Sequence, residues 1–314
     1  MLSEEKENWV EISKTRGLSE EFIRENADKV NWYCISISQK LSEEFIRENA
    51  DKVDWFYISH YQNLSEDFIR EFSNKIDWFV ISRYQKLSEE FISKNFDKVD
   101  RIRMCIYQSL SEKFLKEFYS NKEYWYYISI YQTLSEGFIR EFSDKVNWGY
   151  ILKYQKLSEE FLSEFSNKVD WENISKYQKL SPEFIKEFNL KIPEENWLYK
   201  DKEFKREYIK KNTDYEIIGS KVIAYKTCRS DGYSAYNFQY YYEVGGEYET
   251  HANYNIDEED SFGLSAWTKE GALKYHSKGK LFKVEIDLED IAAIVNVGKK
   301  IRASKIKILE EINI

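Results

Sequence analysis

The sequence predicts a mainly α protein: an α-helical solenoid of short two-helix repeats of 23 residues, followed by a small α+β domain. Three observations carry this prediction. A unit recurs almost verbatim, starting at Leu18, Leu41, Leu64, Leu87, Leu110, Leu134, Leu157 and Leu180. A fixed period of roughly 20–50 residues marks each unit as one supersecondary element that buries its apolar face against its neighbours. Helix-capping residues occur twice in each unit, and past residue 200 the pattern stops and strand-like segments begin.

The consensus is L-S-E-E-F-I-R-E-F-S-D-K-V-D-W-x-x-I-S-x-Y-Q-K. Serine at position 2 is an N-cap. The glutamates after it favour the positive end of the helix dipole, and the lysine at position 12 favours the negative end. In the last copy Pro182 follows Ser181, which is the N1 position where proline is tolerated. Apolar residues at positions 1, 5, 6, 9 and 13 bury one face. The second half opens on a new cap, as in Asp54-Trp55, Asp77-Trp78, Asn147-Trp148 and Asp170-Trp171. Tryptophan, isoleucine and tyrosine then recur at positions 15, 18 and 21, on one side of a second short helix. A strand is the alternative, since W-x-x-I-S-x-Y is rich in β-formers; the lack of strict alternation favours the helix. Neither helix is long enough to be stable alone, so stacking must hold both.

Eight of the nine tryptophans lie in the array, and the stripe they form reads as core. Positions 5, 6 and 18 barely change between copies, whereas 16, 17 and 20 change freely. The variable set includes Tyr33, Cys34, Ile37, Phe56, Tyr57, His60, Phe79, Arg83, Arg103, Tyr126, Tyr127 and Tyr150. It is aromatic and apolar in the early copies and polar in the last two. Such positions are either a recognition surface or inter-repeat packing that drifts. Arg101 replaces the tryptophan of copy four, and copy five carries one extra residue between Tyr119 and Tyr124. Residues 8–17 match a half-repeat and form an N-terminal cap.

The expected organisation is an array over 1–200, a linker helix over 201–214 and an α+β domain over 215–314. In the last, a strand is expected at Ile217–Lys226, a hairpin turning at Gly245-Gly246, and a helix capped by Thr268 and running to His276. Further strands are expected at Leu281–Leu288, Ala292–Val297 and Ile306–Ile312. Among Tyr236, Tyr240, Tyr241 and Tyr242 alternation puts half in the core, leaving Tyr241 as a candidate ligand contact.

Aromatic residues make up 17% of the chain and sit at fixed places, which argues for folded structure despite 33% charge. The net charge of −9 argues against general binding to nucleic-acid backbones and suits a basic target surface. Cys34, Cys105 and Cys228 lack metal-ligand spacing and read as small buried fillers, and neither a metal nor a cofactor is expected. The beginning of the chain lacks the regions of a signal peptide, and no apolar run is long enough to span a membrane, so a cytoplasmic location is expected.

The tail, through Ala224-Tyr225-Lys226, Phe238-Gln239-Tyr240, Val244-Gly245, Tyr248-Glu249, Phe282–Ile286 and the Ile301–Ile308 run, resembles a small uncharacterised domain of phage and large-DNA-virus proteins. The LSEEFIREFSDKVNW repeat resembles arrays in such proteins. Gly263-Leu264-Ser265 stands where relatives often carry a Gly-Phe-His segment. The resemblance implies a viral or mobile-element setting, hence host cytoplasm, and no particular reaction. A looser similarity to ADP-ribosyltransferase-like folds offers Lys226, Ser265 and Glu285 as catalytic candidates around a nucleotide or NAD pocket. His251 and His276 are isolated, and Asp257–Asp260 lacks the spacing of a calcium loop. The main functional expectation is a protein-binding scaffold, in a phage setting an inhibitor of a host defence or regulatory protein. The alternatives are a tail that is an enzyme or that sequesters a nucleotide signal.

Overall fold

The computed structural model describes residues 2–172, 174–192, 196–234, 240–254, 256, 261–275, 279–295 and 298–312. Many short helices in regular tandem precede a C-terminal antiparallel sheet. The chain forms two compact units, Met1–Leu110 and Ser111–Ile314.

The first unit holds α1 (Leu2–Lys14), α2 (Glu20–Glu25), α3 (Trp32–Ser38), α4 (Glu43–Glu48), α5 (Trp55–Tyr61), α6 (Glu66–Glu71), α7 (Trp78–Tyr84), α8 (Glu89–Lys94) and α9 (Arg101–Tyr107). Each repeat is therefore two helices, and the strand alternative for the second half is set aside. Both caps act where the sequence puts them. Phe45 N donates to Ser42 Oγ at 3.1 Å, and Val80 N donates to Asp77 Oδ1 at 3.0 Å.

The fixed positions are consumed in tying each copy to the next. Ser59 Oγ donates to Trp55 O within its own helix and accepts from Asp77 N, the cap of the following second helix, at 3.1 Å. Ser88 N donates to Glu66 Oε1 of the preceding copy at 2.6 Å. Arg47 pairs with Glu71 at 2.8 Å and lies over the ring of Phe68. The deepest tie is the glutamine of position 22. Gln85 Oε1 accepts from Leu64 N at 3.1 Å, while its Nε2 donates to Ser59 O at 3.0 Å and Gln62 O at 2.7 Å. Gln39, Gln62 and Gln108 repeat the arrangement, and all four are buried. Buried amides of this kind demand full pairing, and here each has it.

The expectation that the tryptophans are core holds for Trp125 and Trp197 of the second unit, and not for those of the first. Trp32, Trp55 and Trp78 are half-buried. Trp55 packs against Phe68 of the next copy, carries the ammonium of Lys75 above its ring at 5.7 Å, and donates its indole N–H to Ala50 O. It is a bracket between copies, with a polar tip satisfied locally. Arg101 substitutes for this bracket in copy four: its guanidinium sits over Phe96 at 4.5 Å, and its Nε reaches the Phe96 carbonyl that an indole would have used, at 3.4 Å.

Ser59→Ala removes one donor and one acceptor from a buried seam. A loss of about 1–2 kcal/mol is expected in urea denaturation, against no measurable change for an exposed serine such as Ser109→Ala at the end of copy four.

The second unit opens with the same pattern in α10 (Glu112–Phe118), α11 (Lys122–Tyr131), α12 (Glu136–Glu141), α13 (Trp148–Tyr154), α14 (Glu159–Glu164) and α15 (Pro182–Glu187). The extra residue of copy five lengthens α11 to 10 residues. It lets Tyr119 turn inward, where Trp125 donates to its carbonyl and both are fully buried. In copy seven the second helix shrinks to a single 3-10 turn at Ile174–Lys176.

Then come α16 (Lys202–Asn212), β1 (Glu216–Ile218), β2 (Lys221–Cys228), β3 (Glu247–Glu249), β4 (Leu264–Trp267), α17 (Lys269–Tyr275), β5 (Lys280–Asp287), β6 (Ile291–Val295), β7 (Lys300–Ala303) and β8 (Lys305–Ile312). The strands form one antiparallel sheet in the order β3-β8-β5-β2-β4-β7-β6, with β1 beside β2.

Two expectations change. The strand expected at Ile217–Lys226 is broken by a turn at Gly219-Ser220, where Gly219 takes φ +60° and lets β1 fold back on β2. The hairpin expected at Gly245-Gly246 is replaced by long-range pairing: β3 pairs with β8, and Gly245 N donates to Ile308 O. The linker helix expected over 201–214 is present as α16, and it packs into the domain that follows. Ile209 of α16 and Trp197 of the last repeat are both buried in the core formed by Val222, Val284, Ile286 and Ile308. Lys205 of α16 donates to Ile291 O at 2.8 Å, and burial pulls its pKa down to about 8. The expected helix cap holds, with Gly271 N donating to Thr268 Oγ1.

Candidate functional site

The second helices of the repeats carry the variable positions, and their geometry follows one rule. The residue at position 16 meets position 17 of the next copy. In the first unit the phenols of Tyr33 and Tyr57 share a hydrogen bond of 3.0 Å with rings edge to face at 4.9 Å, and Arg103 stacks on Phe79 at 3.1 Å. In the second unit Tyr126 and Tyr150 repeat the tyrosine pair at 3.1 Å. The hydrogen bond from its partner raises the pKa of Tyr57 to about 12, and that of Tyr126 is raised in the same way.

Position 20 inserts between the tyrosines of position 21. The His60 ring lies 4.1 Å from Tyr61 and 3.8 Å from Tyr84, and Arg83 sits 4.9 Å from both Tyr84 and Tyr107. Lys153 does the same between Tyr154 and Tyr177. Ile37 is half-buried on α3, as is Tyr127 on α11, where its ring meets Tyr126 edge to face.

Both readings of the variable set are thus visible, divided by position. Positions 17 and 20 are half-buried between copies in these helices, apart from the buried Cys34 and Val80. Position 16 faces solvent: Tyr33, Phe56, Phe79 and Tyr126 are 45–53% exposed. The sequence reading missed Tyr61 and Tyr131 at position 21, exposed to a similar extent. The signal was available, because 16, 17, 20 and 21 are i, i+1, i+4 and i+5 of one helix and share a face. In the first unit Tyr33, Tyr57, Phe56, Tyr61, His60, Tyr84 and Arg83 form an unbroken chain of ring and cation contacts from α3 to α7.

The tail does not assemble the catalytic candidates. Lys226 pairs with Phe282 and Ile223 with Glu285 across β2 and β5. Directly paired residues share a face and successive residues alternate, so Lys226 is on the core face and Glu285 on the other. The Lys226 ammonium is buried over Tyr242 at 4.7 Å and donates to the backbone carbonyl of Ser265 at 2.9 Å. Burial lowers its pKa to about 8. Ser265 alternates with the core residues Leu264 and Ala266, which turns its hydroxyl to the opposite face. The nicotinamide-pocket arrangement is therefore corrected: Lys226 meets Ser265 through main chain alone, and Glu285 is separated from Lys226 by the sheet. Glu285 borders an open polar groove with Lys221, Asp287 and Lys307. Ion pairs already cross its lining, with Lys221–Asp287 at 3.3 Å and Lys305–Glu247 at 2.9 Å.

No protein family, no curated protein and no solved structure matches this chain. Function has to be read from its own geometry.

Tyr241 is exposed and bridges Tyr233, while Tyr242 is buried, as alternation required. Tyr236, Phe238, Gln239, Asn173, His276 and Asp257–Asp260 lie outside the described residues. Among the described residues no helix is long and apolar enough to cross a membrane.

His251 is a packed, structural histidine. It is held against the sixth repeat, its Nε2 3.2 Å from Lys153 O and its ring stacked on Phe262, which in turn meets Tyr154. Burial lowers its pKa to about 4, with Lys156 adding to the effect. A histidine that is harder to protonate when folded stabilises the fold fully above its unfolded pKa of about 6.5, and that stability is lost as pH falls toward 4. Stability of the second unit is expected to fall by about 3 kcal/mol over this window. His251→Gln should flatten that slope in urea titrations run at successive pH values, and an unchanged slope would refute the assignment.

Proposed function

We propose that this chain is an α-helical solenoid serving as an intracellular protein-binding scaffold, with the exposed face of its second helices as the recognition surface. The single observation that carries this reading is a division of labour inside the repeat. Serine, glutamine, tryptophan and glutamate at the fixed positions are spent on inter-copy ties, while large aromatic side chains at position 16, and at position 21 in Tyr61 and Tyr131, stay exposed. Exposed aromatic residues in contact with one another mark interaction sites more often than they mark surface at rest. On the resemblance to phage and large-DNA-virus proteins, the partner is read as a host defence or regulatory protein.

The test is site-specific cross-linking in cells, with a photoreactive phenylalanine at position 56 or 79 and, as a control, at Glu44 on the first helix. Cross-links to one protein from positions 56 and 79 only are expected. Cross-links equally strong from position 44, or none from the second helices, would refute it.

A further inference from the structure

We propose that the second-helix face of the first unit binds a short peptide segment of a partner protein that is rich in acidic and large apolar side chains. This deepens the scaffold reading and rests on it. Positions 16, 17, 20 and 21 of the first four copies contain no Asp or Glu, in a chain with 56 acidic residues out of 314. Their charged residues are Arg83 and Arg103, set with His60 among seven tyrosines and phenylalanines. The face is thus locally cationic on a molecule whose net charge is −9.

Local charge decides here, because fields from carboxylates farther than about 8 Å are screened at physiological salt. The acids that open these helices, Asp54, Asp77 and Asp100, are the caps of α5, α7 and α9, each accepting backbone N–H groups at the positive end of its helix. Asp100 also pairs with Arg103 at 3.0 Å. Arg83 places its guanidinium 4.9 Å from the ring centroids of both Tyr84 and Tyr107. A guanidinium pre-ordered on aromatic rings loses little entropy when it takes a carboxylate, and the rings around it bury apolar side chains.

A single-stranded nucleic acid is the weaker fit. Such ligands need a run of cations along the backbone and free ring faces for bases, whereas here Tyr33 and Tyr57 are locked edge to face and Phe79 is covered by Arg103. Four adjacent helices at about 9 Å spacing span about 27 Å, the length of about eight extended residues.

The test pans a random displayed library of peptides about twelve residues long against the full-length protein, then measures synthetic copies by fluorescence anisotropy. Enriched peptides are expected to be net acidic with two or more Leu, Phe or Trp. Arg83→Glu should weaken them by about tenfold or more, a peptide with Lys in place of its acids should regain affinity for that variant, and Arg83→Lys should bind more weakly than the parent but better than Arg83→Glu. Circular dichroism and the unfolding midpoint of each variant exclude misfolding, which the charge-swap rescue also does. Enrichment of neutral or basic peptides, no enrichment, or equal binding to Arg83→Glu would overturn the proposal. A basic contact segment identified by cross-linking at position 79 would overturn it too, while leaving the scaffold reading intact.

Discussion

Gln85→Leu is expected to destabilise the first unit by about 3–5 kcal/mol, the largest effect of any single substitution at a polar residue in the repeats. Leucine is close in volume, so packing changes little. What is lost is one acceptor and two donor contacts, leaving Leu64 N–H, Ser59 C=O and Gln62 C=O without their partner in a buried seam. Each group abandoned in this way costs about 1–3 kcal/mol. Gln85→Glu separates the two halves of the contact. It keeps the acceptor for Leu64 but turns a carboxylate toward two carbonyls, which raises its folded pKa above the unfolded value of about 4.3. The folded state then holds the extra proton, so this variant should gain stability as pH falls and lose it as pH rises through that window. Urea denaturation at pH 4.5 and 7.5 reads both effects, and a leucine variant within 1 kcal/mol of the parent would show that the ladder is incidental.

The second large effect concerns where the tail begins. A fragment of residues 215–314 is expected to be unfolded or aggregated, while residues 111–314 should fold with the stability of the intact second unit. The sheet's core face is closed by Ile209 from α16 and Trp197 from the last repeat. Lys205 also donates to the carbonyls of Glu289 and Ile291 at the start of β6. Removing two fully or nearly fully buried large side chains costs about 3–5 kcal/mol each, comparable to the whole stability of a domain this size. The shorter fragment exposes the same face to water and to other copies. Far-UV circular dichroism and size-exclusion chromatography on both fragments decide it; a monomeric, cooperatively melting 215–314 would overturn this placement of α16.

What the sequence revealed was whatever is encoded locally. Ser42, Asp54 and their counterparts cap the helices next to them, so frame and helix ends could be read directly. The glutamine of position 22 was visible in every copy but mute, because its partners lie 21, 23 and 26 residues away. The tryptophans misled for a related reason: spacing shows which side a residue is on, and Trp55 is on the packed side, yet its ring lies at the seam under Lys75 and so stays half-exposed. Residues 202–212 read as a linker helix because most positions are charged, and nothing in Phe204, Tyr208 and Ile209 could announce that only Ile209 would be covered by a sheet. Lys226 and Glu285 looked compatible with one pocket until register put them on opposite faces, since a pairing parity is invisible in either strand alone.

The central claim is that folding and recognition use different residues of the same repeat. It is tested most directly by a triple variant, Phe56→Ser, Tyr61→Ser and Phe79→Ser, whose side chains are all about half exposed. Its stability is measured by urea denaturation and its partner capture by cross-linking from position 33. A cooperative fold that loses no more than about 3 kcal/mol, together with loss of the cross-linked partner, is the expected result. A variant that unfolds, or one that keeps the partner, would contradict it.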